Sequence, residues 1–253
     1  MAKLKLGVFS VTGCFGCQLS LAFVEDILLD IIKNFEIVAF PMLKENNEYK
    51  NIDVAIIEGA ACREEEIEEL KKIRENSKIV VALGACACGG SVQSIKEVSD
   101  KQKVMNAAYD NPALFKPIDV GGIDKHIKVD YFIYGCPPDK NDLVKFVKDA
   151  LIGKKNPIQV DYPVCCECRA KGNVCLLQNG EFCIGPVTNG GCGALCPSHG
   201  HYCFGCHGFW EDANMEAIVN LFKEMGFDKD EIKRIFTKFA CTSKILLDSE
   251  VLK

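Results

Sequence analysis

The chain has 253 residues, a net charge of −5 and 26% charged residues. This length allows one large domain or two smaller ones, and the acidic balance argues against a protein that binds nucleic acid through a basic surface. No apolar run reaches the roughly 18 residues that a membrane helix needs, so we expect neither a nucleic-acid partner nor a membrane span.

The first part of the chain reads as strands that alternate with helices. Apolar runs predict five strands, at 4–10, 36–40, 53–57, 78–83 and 128–134. Helical spacing of apolar residues, or a charge pattern that suits the helix dipole, predicts helices at 18–33, 64–76 and 139–151. This alternation indicates an α/β fold in which helices cover both faces of a parallel sheet.

Cysteine is the unusual component, with 16 of the 253 residues. The N-terminus lacks the apolar core and the small-residue cleavage site of a secretory signal, so we expect a cytoplasmic protein whose thiols stay reduced. A chain of this length can bury a core without disulfides. Metal ligation is therefore the favoured use of so many thiols.

Cysteines in the first part follow the carboxyl ends of the predicted strands. Cys14 and Cys17 come after the first strand, Cys86 after the fourth and Cys136 after the fifth. Because ligands bind outside these strand ends in parallel sheets, the four thiols are predicted to meet at one edge. Four thiolates suit a four-iron cluster, whereas the Cys14-x-x-Cys17 pair alone would also suit a redox-active dithiol.

A boundary near residue 155 is predicted from a shift in composition, which gives one domain over 1–155 and another over 156–253. The second domain begins with an irregular cysteine-rich segment, which bound metal would organise, and ends with helices predicted at 213–225 and 229–239. Its thiols form two closely spaced runs: Cys165, Cys168, Cys175 and Cys183, then Cys192, Cys196, Cys203 and Cys206. Spacing alone does not separate iron–sulfur clusters from structural zinc.

Four thiols remain outside these groups. Cys62, Cys88, Cys166 and Cys241 are predicted to be spare, although Cys88 and Cys166 stand close enough to predicted ligands to exchange roles with them. One carboxylate, Glu58, ends the third predicted strand beside the first group of thiols. It could relay protons, or it could simply be a hydrogen-bonded carboxylate.

Seven motifs together resemble the small, electron-transferring subunit of nickel–iron hydrogenases. They are Thr12-Gly13-Cys14-x-x-Cys17, Ile57-Glu58-Gly59, Gly84-Ala85-Cys86, Gly135-Cys136-Pro137-Pro138, Cys183-Ile184-Gly185-Pro186, Cys196-Pro197 and Cys203-Phe204-Gly205-Cys206. The resemblance extends from residue 4 to about residue 208. It implies a flavodoxin-like domain followed by an iron–sulfur domain.

The resemblance also implies a function and its cofactors. Electrons would pass between a nickel–iron site, held by a separate large subunit, and a further partner during reversible hydrogen oxidation. Three [4Fe–4S] clusters would carry them. The implied ligands are Cys14, Cys17, Cys86 and Cys136 for the proximal cluster, Cys192, Cys196, Cys203 and Cys206 for the medial cluster, and Cys165, Cys168, Cys175 and Cys183 for the distal cluster.

Three positions depart from the periplasmic members of this family. Cys165 stands where they use a histidine, Cys192 adds a fourth medial thiol, and Gly13 replaces the glutamate before their first cysteine. The chain is most similar to the cytoplasmic, multi-subunit branch, of the NAD(P)-linked or sulfhydrogenase delta type. Members of that branch pass electrons to a flavin-bearing, iron–sulfur partner that uses NAD(P), ferredoxin or a deazaflavin.

Two alternatives stay open. The first is a zinc-organised scaffold or binding module without a redox role, which iron analysis would distinguish. The second is the small quinone-reductase subunit, which resembles the N-terminal domain and carries only the equivalent of the proximal cluster. The eight further thiols between Cys165 and Cys206 argue against the second alternative.

Overall fold

The computed structural model describes residues 3–23, 33–116, 118–152, 160–249 and 251. Its sheet consists of β1 (Leu4–Ser10), β2 (Phe35–Ala39), β3 (Ile52–Glu58), β4 (Ser77–Leu83) and β5 (Tyr131–Ile133). The strands are all parallel and follow the order β2-β1-β3-β4-β5. This is the flavodoxin-like order, and the predicted α/β fold is confirmed.

Helices connect the strands and complete the C-terminal part. In chain order they are α1 (Gly16–Ala22), α2 (Glu64–Glu75), α3 (Gly84–Gly89), α4 (Lys101–Ala108), α5 (Lys140–Leu151), α6 (Val164–Ala170), α7 (Leu195–Ser198), α8 (Met215–Glu224), α9 (Lys229–Ala240) and α10 (Lys244–Leu247). None of the described helices has the length and apolar character to span a membrane. The predicted domain boundary, and residues 24–32 of the first predicted helix, lie outside the described residues.

The sheet is buried on both faces, which explains why its strands are apolar throughout. Along β3, Val54 and Ile56 join a core that α1 and α5 complete. The intervening Ala55 and Ile57 join a second core, together with Leu70 of α2. Because successive side chains point to opposite faces of a strand, a continuous apolar run is what this two-sided burial requires.

Helix α2 is tied to the loop that follows β1. Three glutamates occupy its first turn, and Lys72 and Arg74 lie in its last turn, as the helix dipole prefers. The buried Glu66 carboxylate accepts the Thr12 hydroxyl at 2.7 Å and the Cys62 backbone N–H at 2.8 Å. The start of α2 therefore fixes the chain immediately before Cys14.

The C-terminal helices build a third core and pack back onto the first part of the chain. Phe222 of α8 and Phe236 of α9 are fully buried in it, together with Ile184 from the cysteine-rich segment. Helix α9 also contacts α3 and the 3-10 helix Ser91–Val98. A smaller cluster around Val164 and Cys203 lies within the cysteine-rich segment itself.

Some elements differ from their predicted form. Strand β5 covers three residues, fewer than predicted. It begins only at Tyr131 because the side chain of the preceding Asp130, and not a strand backbone carbonyl, binds the neighbouring strand β4. The Asp130 carboxylate accepts the Val80 N–H at 2.8 Å and pairs with Arg74 at 2.5 Å. Helix α4 and the 3-10 helix Ser91–Val98 were not predicted, and the cysteine-rich segment contains the short helices α6 and α7.

Replacement of Leu70 by alanine tests the burial of α2 against the sheet. The Leu70 side chain is 0% exposed, so Leu70→Ala should lower the free energy of unfolding by about 2–5 kcal/mol. The neighbouring Lys71 is exposed, and Lys71→Ala should change it by less than about 0.5 kcal/mol. Anaerobic urea unfolding measures both; equal effects would contradict the described packing.

Candidate metal centres

All sixteen cysteines lie within the described residues, and each carries a free thiol. Twelve of them form three sets of four. The first set is Cys14, Cys17, Cys86 and Cys136; the second set is Cys165, Cys168, Cys175 and Cys183; the third set is Cys192, Cys196, Cys203 and Cys206. Within each set the thiols influence one another electrostatically, so the structure brings together the residues that were grouped from sequence.

The first set lies at the carboxyl edge of the sheet, where the loops after β1, β4 and β5 meet. Gly84 begins α3 with a φ of 84°, and a Cβ there would lie 2.3 Å from Cys17 Sγ. The N–H of Ala85 donates to the Gly135 carbonyl at 2.8 Å, which joins the loop carrying Cys136 to the start of α3. Only glycine at position 84 allows these loops to approach so closely.

Glu58 anchors the loop that carries the first two thiols. It ends β3, is 2% exposed, and accepts the Gln18 backbone N–H at 2.7 Å. The N–H groups of Phe15 and Cys17 also donate to it. Burial raises the pKa of Glu58, and these hydrogen bonds oppose the rise. The contacts make Glu58 a buried carboxylate that holds the first turn of α1.

The electrostatics of the first set disfavour dithiol chemistry at Cys17. Burial, followed by the charges of Glu58 and of the other three thiols, raises the pKa of Cys17. Burial and neighbouring thiols also raise the pKa of Cys86 and of Cys136. A redox dithiol works through a lowered thiol pKa, whereas a bound metal cation would deprotonate such thiols.

The second set is built around α6, which supplies Cys165 and Cys168. A Cβ on Gly185 would lie 3.4 Å from Cys183 Sγ and 3.5 Å from Cys165 Sγ, so this glycine lies directly beside two sulfurs of the set. The Cys203 N–H donates to Cys183 Sγ at 3.4 Å. Burial and the neighbouring thiols raise the pKa of Cys165 to about 12.

The third set lies between the other two. The Gly135 N–H donates to the Cys206 carbonyl at 3.2 Å, beside Cys136 of the first set. Burial, then the charges of Cys192, Cys196 and Cys136, raises the pKa of Cys206 to about 12. Cys203 instead interacts with Cys183 of the second set. The order in space is therefore first set, third set, second set.

The residues present fit iron–sulfur clusters. Each set offers four thiols, and glycines stand where a side chain would crowd a sulfur. The side-chain amide of Gln18, directly after Cys17, is fully buried with neither polar atom hydrogen-bonded within the described residues. Among the same residues, no group of three or more His, Cys, Asp or Glu side chains is arranged to hold a single metal ion.

The four remaining thiols lie outside the sets. Cys88 donates to the Ala82 and Ile133 carbonyls at 3.6 Å, and Cys241 Sγ is 2.8 Å from Ser94 Oγ. Cys62 donates to the Ala60 carbonyl at 3.6 Å. Cys166 is exposed. Their role as spare thiols stays a prediction.

Sequence reasoning did not identify the polar side chains that surround the thiols. The side chains of Gln93 and Ser91 oppose the rise that burial causes in the pKa of Cys86, and Gln93 Nε2 donates to the Thr12 carbonyl at 3.1 Å. Glu167 of α6 accepts two backbone N–H groups next to Cys192. These contacts join segments distant in sequence, so no local spacing signals them; only the position of Glu167 between two cysteines could have drawn notice.

Comparisons with known proteins identify relatives of the chain. Residues 14–150 match the family described as the NADH ubiquinone oxidoreductase 20 kDa subunit. The chain is 37% identical to the sulfhydrogenase 2 delta subunit of Pyrococcus furiosus over 240 residues, covering 94% of this chain and 99% of that protein. It is 28% identical to the NAD-reducing hydrogenase delta subunit of Cupriavidus necator, covering 60% of this chain and 80% of that protein.

A solved structure gives the same result. A chain of an NAD⁺-reducing [NiFe]-hydrogenase in the H₂-reduced state superposes with a TM-score of 0.56 at 27% identity, covering 63% of this chain and 96% of that chain. The predicted resemblance is confirmed. The chain belongs to the family of the NADH ubiquinone oxidoreductase 20 kDa subunit, among the small subunits of nickel–iron hydrogenases.

Proposed function

We propose that the chain carries electrons through three [4Fe–4S] clusters, bound by the first, third and second sets in that spatial order. The observation that supports this proposal is the continuity of the three sets, since the Gly135 N–H beside Cys136 donates to the Cys206 carbonyl and the Cys203 N–H donates to Cys183 Sγ. A four-iron cluster supplies one-electron redox chemistry when bound. The first set binds the proximal cluster, the third set the medial cluster and the second set the distal cluster.

The chain's own residues bind, shield and tune these groups. Burial of Cys17, Cys183 and Cys203 keeps water from part of each set. Hydrogen bonds to sulfur, such as that from the Cys203 N–H to Cys183, would raise a reduction potential because they stabilise added negative charge. The first domain, 1–155, holds the proximal site and the second, 156–253, holds the other two. The proton-relay role of Glu58 stays a prediction.

The nickel–iron site belongs to a partner large subunit, which covers the apolar surface beside Cys14. Phe15, Leu19 and Phe23 recur at a spacing of four residues and are 41%, 42% and 68% exposed. Side chains four apart share a helix face, and exposed apolar patches mark interaction sites. Docking here brings the nickel–iron site next to the first set.

The second partner is a flavin-bearing, iron–sulfur subunit linked to NAD(P), ferredoxin or a deazaflavin, and the complex works in the cytoplasm. The names of the sulfhydrogenase and NAD-reducing hydrogenase relatives support a multi-subunit enzyme of this type. The sixteen free thiols suit a reducing compartment.

Metal and sulfide analysis of the anaerobically purified complex tests the proposal directly. Three four-iron clusters require about twelve irons and about twelve sulfides on this chain. Zinc with little iron would replace the electron-transfer proposal by a zinc scaffold. About four irons would retain only the proximal cluster and refute the second and third sets as cluster ligands.

Serine substitution tests the ligand assignment in the first set. Cys136→Ser removes a thiolate ligand, so iron should fall by about four atoms per chain and hydrogen turnover should be lost. Cys166 is exposed and outside the sets, and Cys166→Ser should retain both. Full iron and turnover in Cys136→Ser would refute the assignment.

Alanine at Gly84 tests the close approach of the loops. Its Cβ would collide with Cys17 Sγ at 2.3 Å, so Gly84→Ala should lose the proximal cluster and its electron paramagnetic resonance signal. Gly172 has a similar φ of 69°, but nothing lies within 4 Å of its added Cβ. Gly172→Ala should keep all clusters, and equal losses in the two variants would point to backbone strain instead.

A charge in the apolar patch tests the large-subunit interface. Leu19→Lys should weaken association with the large subunit by at least about tenfold, since it loses apolar burial and buries a charge. Leu247 in α10 is 50% exposed, and Leu247→Lys is the matched control. Biolayer interferometry with the large subunit measures both; unchanged affinity of Leu19→Lys would refute this interface.

A further inference from the structure

The loop around Cys192 has an unfavourable backbone. Its neighbours Gly191, Gly193 and Ala194 have φ values of 103°, 64° and 49°. A positive φ suits glycine, but it is uncommon for alanine because the Cβ crowds the backbone. Residues 191–194 therefore keep this conformation only if other contacts hold them.

Glu167 of α6 and Lys171, the residue that follows this helix, supply those contacts. Glu167 Oε1 accepts the Gly191 N–H at 2.7 Å, and Glu167 Oε2 accepts the Ala194 N–H at 3.1 Å. Lys171, four residues further on and thus on the same helix face, donates from Nζ to the Gly193 carbonyl. Carboxylate and ammonium together fix the loop on both sides of Cys192.

The same carboxylate brings a charge to the third set. Glu167 Oε2 lies 4.0 Å from Cys192 Sγ. Helix α6 also supplies Cys165 and Cys168 of the second set. Helix α6 thus carries two thiols of the second set, and its Glu167 holds the loop that carries Cys192 of the third set.

We propose that Glu167, with Lys171, positions Cys192 as the fourth ligand of the medial cluster, and that the Glu167 charge lowers the reduction potential of that cluster. The inference rests on the proposed function, because it requires a cluster on the third set. Its electrostatic basis is that adding an electron beside a fixed negative charge is unfavourable. Glu167 is a positioning residue, since it acts through the loop and through its field.

The positioning role is tested by hydrogen–deuterium exchange of the peptide containing residues 191–194, in the anaerobic complex. In Glu167→Ala the Gly191 and Ala194 amides lose their acceptor, and exchange should accelerate by about tenfold or more. Glu167→Gln retains one acceptor oxygen and should give an intermediate rate. The exposed Glu224 of α8 gives the control Glu224→Gln, which should match the parent chain. Unchanged exchange in both Glu167 variants would overturn the proposal that Glu167 holds this loop.

The electrostatic role is tested by redox titration followed by electron paramagnetic resonance. Glu167→Gln should raise the medial potential, whereas Lys171→Gln should lower it, because the two substitutions remove charges of opposite sign. Loosening of the loop alone would move both variants in the same direction, and that result would overturn the inference. Iron analysis of the parent chain separates the two levels: absence of the medial cluster there refutes the proposed function, whereas an unshifted potential in iron-replete Glu167→Gln refutes the inference alone.

Discussion

Four neighbouring thiols, one of them buried in each set, cannot all ionise without a positive charge among them. Burial and mutual repulsion raise the pKa of Cys17 above its ordinary range, and they raise those of Cys165 and Cys206 to about 12. A cluster removes this repulsion because its iron atoms neutralise the thiolates. On the proposed function, cluster binding and the folding of the cysteine-rich segment are therefore coupled, as in other sites where metal binding supplies folding energy.

The parallel sheet positions the thiols of the first set. Parallel strands β1, β3, β4 and β5 end at one edge, and the order β2-β1-β3-β4-β5 reverses direction between β1 and β3. That switch point is where a doubly wound sheet opens a crevice for a ligand. Glu58 at the end of β3 and Gly84 at the end of β4 then fix how closely Cys17 and Cys86 approach. The sheet thus brings the thiols to one edge, and Glu58 and Gly84 set how closely the loops that carry them approach.

Sequence patterns predicted the sheet well because two-sided burial leaves an unbroken apolar run. Strand β1 has its predicted bounds, β3 is longer than predicted by one residue at each end, and β4 begins one residue earlier than predicted. Strand β5 is shorter because the side chain of Asp130, the residue directly before it, accepts the Val80 N–H in place of a strand backbone carbonyl. Helix α4 was not predicted because none of its residues is buried. A helix without a buried face needs no apolar stripe, so its sequence carries no helical pattern of apolar residues.

The grouping of the thiols could be predicted, but spacing alone could not give the order of the sets in space. Along the chain the second set comes before the third, yet the third set lies next to the first. The reason is that the chain turns back between the other two sets. The Cys203 N–H donates to Cys183 Sγ, and three residues later the Cys206 carbonyl accepts the N–H of Gly135, next to Cys136. Such long-range contacts leave no periodic signal, and the family resemblance rather than spacing implied the order. The short Cys203–Cys206 turn thus links both neighbouring sets, and on the proposed function the third set is the middle step of the electron path.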